Sequence, residues 1–204
     1  SNHSSGKMGY ALAVAARDAG ARVTIISGPV TIPAPDHITV IPAYSAREML
    51  ETSLAQLGQC DIFIAAAAVA DYRPIAPEAE KIKKSSETVE LTLVKNPDVV
   101  ATVANHELRP FTIGFAAETQ DIDTYARGKL VSKNLDMIVA NDVSRSDIGF
   151  NSDENAVTVF WNQNQQSFEP RSKSALAAEL IDLIAHQYAA KQTDKDATLT
   201  QEKG

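Results

Sequence analysis

A single cysteine, Cys60, stands in 204 residues, so no disulfide can close within the chain and the fold must rest on its core. No apolar run approaches the roughly 20 residues that span a bilayer as a helix, and the start carries no secretion-signal pattern. Positive charge is scarce: 19 Lys and Arg stand against 26 Asp and Glu, a formal net charge of -7. That balance removes the electrostatic footprint of a nucleic-acid binder, although lysines can still gather locally around an anionic ligand. His3, His37, His106 and His186 show no metal-ligand spacing, so no protein metal site is expected. The Gly-x4-Gly-Lys-Ser/Thr phosphate loop is also missing. What remains is a reduced protein expected in the cytoplasm.

The residues present are 44% hydrophobic and 22% charged, enough for one ordinary core. Helical periodicity covers Gly6–Ala19, Ala46–Leu57, Asp98–His106, Ile122–Asn134 and Lys173–Gln187. Between these lie strand patterns at Arg22–Ile26, Thr39–Ile41, Ile62–Ala68, Glu90–Leu93, Phe111–Phe115 and Met137–Ala140, then Ala156–Trp161 with Gln166–Glu169. The alternation predicts an α/β fold, Rossmann-like and doubly wound, its mostly parallel sheet extended by a small antiparallel hairpin within Asn151–Glu169. One domain is expected over residues 1–188, followed by a disordered polar tail over 189–204.

Ligands in such sheets bind beyond the carboxyl ends of the strands. Four apolar runs here end in polar or charged residues: Asp71-Tyr72-Arg73, Lys95-Asn96-Pro97-Asp98, Glu118-Thr119 and Asn141-Asp142. The opening Asn2-His3-Ser4-Ser5-Gly6-Lys7 puts hydroxyls at a helix start, where free N–H groups and the helix dipole favour an anion such as phosphate. An ordinary cap accounts for the serines equally well. Lys81-Ile82-Lys83-Lys84 follows an acidic, proline-bearing stretch. It reads either as a solvated charge run or as a lid whose lysine neutralises phosphate charge. Asp71 and Asp98 suit a ribose, a base or Mg²⁺, and also suit helix capping. Lys129 and Lys133, four apart on one helix face, could share a polyphosphate, but such pairs are common on surfaces.

Taken together, Asn2–Gly9, Ala66–Arg73, Glu80–Lys84, Lys95–Asp98, Gly114–Glu118, Lys129-x3-Lys133-Asn134, and Ala140–Val143 followed by Gly149–Ser152 resemble the phosphopantothenoylcysteine synthetase domain of the bacterial bifunctional coenzyme A proteins, from Ser1 to about Ile184. The resemblance implies a CTP-dependent phosphopantothenate–cysteine ligase. In that reaction the phosphopantothenate carboxylate attacks the CTP α-phosphate, and cysteine captures the acyl-cytidylate. By the same resemblance Asn2 holds the acyl-cytidylate and assists its capture, while Lys81 supports its formation. Asn2, Ser4, Ser5 and Gly6 bind phosphopantothenate with Ala67 and Ala68 as a thin floor. Asp71, Lys81, Asn96, Pro97, Asp98, Phe115, Lys129 and Lys133 contact CTP, which arrives with Mg²⁺. A homodimer is implied, with the late hairpin near its interface. FMN belongs to a decarboxylase domain that the family carries upstream and this sequence does not contain.

The family also carries a first strand and a glycine-rich loop before the Asn-His-Ser-Ser-Gly stretch. This sequence opens on that stretch, so a central strand is expected to be missing and the chain is expected to be a fragment, inactive by itself. Two other readings compete. A nicotinamide oxidoreductase requires Gly-x-Gly-x-x-Gly and an acid ending the second strand, whereas Gly6 and Gly9 do not form the motif and Arg22–Ile26 ends in Ser27-Gly28. A non-catalytic nucleotide-binding domain would keep the CTP residues without turnover.

Overall fold

The computed structural model describes residues 5–75, 90–118, 121–142 and 154–201. The first helix, α1 (Lys7–Asp18), follows Gly6, whose φ of 75° lies in the left-handed region that favours glycine. At its far end Gly20 takes φ 92°, and the N–H groups of Gly20 and Ala21 turn back to the carbonyls of Arg17 and Ala16. Next come β1 (Thr24–Ser27) and β2 (Thr39–Pro42), paired in parallel with Ile25 opposite Val40. Helix α2 (Ala46–Gln56) is capped by Ser45, whose Oγ accepts from Glu48 N–H at 3.1 Å while the Glu48 carboxylate accepts from Tyr44 N–H.

After a short 3-10 turn the chain forms β3 (Ile62–Ala65), β4 (Tyr72–Pro74), β5 (Leu93–Lys95), α3 (Val99–Ala104), β6 (Phe111–Glu118), α4 (Ile122–Ser132) and β7 (Met137–Asp142). It closes with β8 (Glu154–Trp161), β9 (Asn164–Ser172) and α5 (Lys173–Gln201). The main sheet has the order β3-β6-β7-β8-β9; β3, β6 and β7 run parallel, and β8 and β9 add an antiparallel hairpin. Strands β4 and β5 form a separate antiparallel ribbon.

Alternation along the strands divides the interior in two. Phe111 and Ile113 of β6, Met137 and Val139 of β7, and Val157 and Val159 of β8 face α1 and α5, packing on Leu12, Leu176, Leu180 and Ile184. Ala116, Ile138, Ala140 and Phe160 face the other way, toward α3 and α4, meeting Ala104, Ala126 and Leu130. The result is the expected α/β sandwich of helix, sheet and helix layers. Neither β1 nor β2 is hydrogen-bonded to the five-stranded sheet.

Three local expectations need correction. The residues expected as strand Glu90–Leu93 become one only at Leu93–Lys95, paired with the unexpected β4. The hairpin extends to Ser172, beyond the expected end at Glu169. The tail is also not disordered over 189–201, because α5 continues to Gln201. Its Ala, Lys and Gln residues are good helix formers, and Lys191 anchors this stretch to the domain. The Lys191 ammonium pairs with the Asp136 carboxylate and lies 5.7 Å from the centre of the Phe111 ring.

Candidate functional site

The carboxyl ends of β1 and β3 meet the start of α1. The chain passes from β1 to β2 in one small sheet and from β3 to β6 and β7 in the five-stranded one, and in folds of this class ligands bind in the crevice outside the strand ends. Helix α1 bridges both sides. Tyr10 donates its hydroxyl to Ser27 Oγ at the end of β1, at 3.1 Å. A Cβ at Gly9 would sit 3.7 Å from the Ala66 Cβ just beyond β3, so a small residue allows the helix to approach there. Ser5 and Gly6 therefore stand at the helix entrance beside the stretch that continues into Ala67, exposed, and Ala68, half-buried. Ser5 Oγ accepts from Lys7 N–H at 3.4 Å, but the helix cap is Gly6, with no side-chain cap bond, rather than Ser5 as an ordinary serine cap would have it.

A second group forms where Ala70–Pro74 and Leu93–Asp98 run together. Asn96 N–H donates to Asp71 carbonyl at 2.7 Å, and Asn96 Nδ2 donates to Ala70 carbonyl at 2.8 Å. Arg73 Nη1 donates to both Lys95 carbonyl, at 3.1 Å, and Asn96 Oδ1, at 3.0 Å. Asp71 itself is exposed, and Pro97 is half-buried just ahead of α3. Asp98 caps that helix, accepting from Ala101 N–H at 3.0 Å, and its other carboxylate oxygen pairs with Lys133 Nζ at 2.9 Å. Partial burial pushes the Asp98 carboxyl up, but the Ala101 N–H and the ammonium groups of Lys133 and Lys95 outweigh it, so the pKa lies below the usual value. The capping role and the charge partner thus coexist in one residue.

The remaining predicted residues divide by face. Phe115 lies on β6 and packs with the α1–α5 core, whereas Lys133 and Asp98 belong to the α3–α4 side. Lys129 precedes Lys133 by one helical turn, and its carbonyl accepts from Lys133 N–H. Asn2, Ser4 and Lys81 lie outside the described residues. Two contributors escaped the sequence reading as individuals: Arg73, visible only as part of the polar strand end, and Asn155. The Asn155 side chain is buried at a bulge of β8 and donates to Asn141 Oδ1 at the end of β7, at 3.2 Å. Nothing in the sequence signals such a pairing.

Other features lack the chemistry. Cys60 is half-buried, and burial together with the neighbouring Asp61 charge raises its thiol pKa, which disfavours a nucleophilic thiolate. The groove between α1 and α5, lined by Tyr10, Val14, Ile32, Ala178 and Ile181, is mostly apolar. Among the described residues no group of three His, Cys, Asp or Glu side chains could hold a metal, and no helix is long and apolar enough to cross a membrane.

Comparison with known proteins agrees with this fold. Coenzyme A biosynthesis bifunctional protein CoaBC of Vibrio cholerae is 55% identical over 189 residues, which cover 91% of this chain and 47% of that protein. CoaBC of Escherichia coli K12 is 46% identical over 195 residues, 94% of this chain and 48% of that protein. The chain therefore spans about half the length of these curated relatives. The crystal structure of a C-terminal domain of CoaBC superposes with a TM-score of 0.77 at 33% identity, covering 94% of this chain and 86% of that one. The family model for the DNA/pantothenate metabolism flavoprotein C-terminal domain matches residues 1–188, and the chain belongs to that family.

Proposed function

We propose that this domain joins 4'-phosphopantothenate to L-cysteine at the expense of CTP, in coenzyme A biosynthesis. The observation that carries the reading is the first part of α1, entered through Ser5 and Gly6, with Gly9 against Ala66 of the alanine stretch beyond β3. The dipole and N–H groups of a helix start suit the substrate phosphate, and an alanine floor leaves room for a flat acyl chain and nucleotide. Asp71, Asn96 and the Asp98–Lys133 pair supply polar groups for the nucleotide, with Lys129 one turn away. The relatives' names place them in coenzyme A biosynthesis.

In the first step a carboxylate oxygen of phosphopantothenate bonds to the CTP α-phosphorus and pyrophosphate leaves. In the second the cysteine amine bonds to the acyl carbon, loses its proton, and CMP leaves. Lys81 would offset phosphate charge in the first step and Asn2 would orient the intermediate for the second. Phe115, beneath the α1 side of the crevice, would pack near cytosine. A magnesium ion arriving with CTP would take triphosphate oxygens and water as ligands, a coordination that needs few protein groups. Dimerisation fits the apolar residues exposed on and beside the β4–β5 ribbon, Tyr72, Ile75, Leu91 and Leu93, better than it fits the largely polar outer strand β9. In full-length relatives an FMN-dependent decarboxylase half would precede this domain.

The test is pyrophosphate release from CTP by the full-length protein with and without phosphopantothenate, with the cysteine adduct followed by mass. Release that requires phosphopantothenate, and an adduct that appears only when cysteine is added, are expected. CTP binding without any turnover would instead favour a non-catalytic nucleotide-binding domain.

A further inference from the structure

We infer that Arg73 is a positioning residue for the nucleotide, acting through the Asn96 carboxamide; the inference rests on the CTP reading of the Asp71–Asp98 segments. A primary amide has two N–H donors and two acceptor positions on its oxygen, and a half-turn about the last bond exchanges them. In Asn96 both choices are already made. Its oxygen accepts from Arg73 Nη1 at 3.0 Å, and its nitrogen donates to the Ala70 carbonyl at 2.8 Å. Among the described residues one N–H and one acceptor position remain, and their directions are fixed because each atom is held from outside.

The neighbouring groups make this orientation matter. Asp98 has one carboxylate oxygen on the α3 cap and the other on Lys133. Pro97 has no N–H, and the Asn96 N–H is taken by the Asp71 carbonyl. Along 96–98 the Asn96 amide is thus the side chain whose remaining donor and acceptor are both aimed by contacts within the protein. Arg73 holds two acceptors through a single nitrogen, the Lys95 carbonyl and Asn96 Oδ1, so it ties the backbone of β5 and the amide that follows it to one point on β4. A guanidinium suits this role because it stays protonated and its donors have fixed directions.

Without Arg73 the Asn96 oxygen loses its charged donor, and the amide keeps only the Ala70 carbonyl on its nitrogen as a restraint. Nucleotide binding would weaken, while phosphopantothenate binding at the start of α1, which takes no part in the Arg73 hydrogen bonds to Lys95 and Asn96, would be unaffected. Loss of an oriented amide backed by a charge-assisted hydrogen bond is expected to raise the CTP dissociation constant by about ten-fold.

The experiment is a double-mutant cycle in the full-length protein: wild type, Arg73→Gln, Asn96→Ala and the double variant. MgCTP and phosphopantothenate binding are each measured by calorimetry, with thermal unfolding recorded for all four proteins. Each single variant should weaken CTP binding by about ten-fold and leave phosphopantothenate affinity within two-fold, and the double variant should be no weaker than the weaker single variant. Multiplicative losses in the double variant would overturn the assignment of Arg73 to Asn96, and so would equal losses for both ligands. A wild-type protein that binds phosphopantothenate but not CTP would overturn the nucleotide reading as well, which separates the two failures. Should Arg73→Gln unfold below assay temperature, Arg73→Lys takes its place, with the same coupling expected and the same additivity refuting it.

Discussion

Asp136 joins three parts of the fold that are remote in sequence, and removing its carboxylate is expected to cost the domain a measurable share of its stability. Its side chain is 8% exposed. One oxygen accepts from Thr112 N–H at 2.8 Å and from Arg109 Nη2 at 3.0 Å, and the other pairs with Lys191 of α5. Truncating one partner of a buried ion pair costs about 3–5 kcal/mol, because the charges left behind lose their compensation. Here the cost is discounted, since Arg109 and Lys191 are 25% and 34% exposed and can partly return to water. About 2–3 kcal/mol is therefore expected for Asp136→Ala. At roughly 2–4 °C per kcal/mol for a chain of this size, the midpoint should fall by about 4–12 °C. Asp136→Asn retains an oxygen for Thr112 N–H and should lose about half as much. Lys191→Met, which removes only the more exposed partner, should cost under about 1 kcal/mol. Urea unfolding followed by circular dichroism, with the slope compared across variants, measures all three. A loss below about 1 kcal/mol for Asp136→Ala at unchanged slope would refute the argument that this carboxylate clasps α5 and β6.

Gly6→Ala should destabilise by about 1–2 kcal/mol through the left-handed backbone alone, and the new Cβ would meet Val30 Cγ1 at 2.9 Å; urea midpoints test it. The lowered Asp98 pKa predicts a stability term present above the ordinary value of 3.8 and lost as pH falls through the lower folded value. With the side chain 40% exposed the term is under about 1 kcal/mol, and Asp98→Asn should flatten that part of the acid limb in pH-dependent unfolding. Cys60, its thiol pKa raised by burial and by Asp61, should react with iodoacetamide at pH 7 more slowly than a free thiol such as glutathione, measured by mass spectrometry.

The helices and the parallel strands were legible because their apolar periodicity is set by burial, as in Met137–Ala140, where successive residues serve opposite cores. Strand β4 was not. Three residues that include Arg73 and Pro74 carry no alternation, and only the pairing with β5 makes them a strand. The reading of 189–201 as disordered took polar composition for absence of structure. A helix with one face tethered at Lys191 needs little apolar surface to persist. Within the candidate site, the residue types at the strand ends singled out Asp71, Asn96 and Asp98, and the four-residue helical spacing from Lys129 singled out Lys133. Their partners were not announced, because the Arg73–Asn96 and Asp98–Lys133 contacts join residues 23 and 35 apart with no local signal.

Among the described residues β1 and β2 share no ladder with the five-stranded sheet, and this seam gives the described part of the fold two thresholds of opening. With no hydrogen-bond ladder across it, Ile25, Ile26 and Val40 can be freed by loosening the packing of α1 and α2. Ile113 and Val139, enclosed on both sides, are released only when the whole core comes apart. The crevice that would receive the substrate lies over this seam, flanked by Ser27 on one side and Ala66 on the other. A ligand lodged there would act as a staple between the two parts, and its binding energy would appear first as slower amide exchange in β1 and β2.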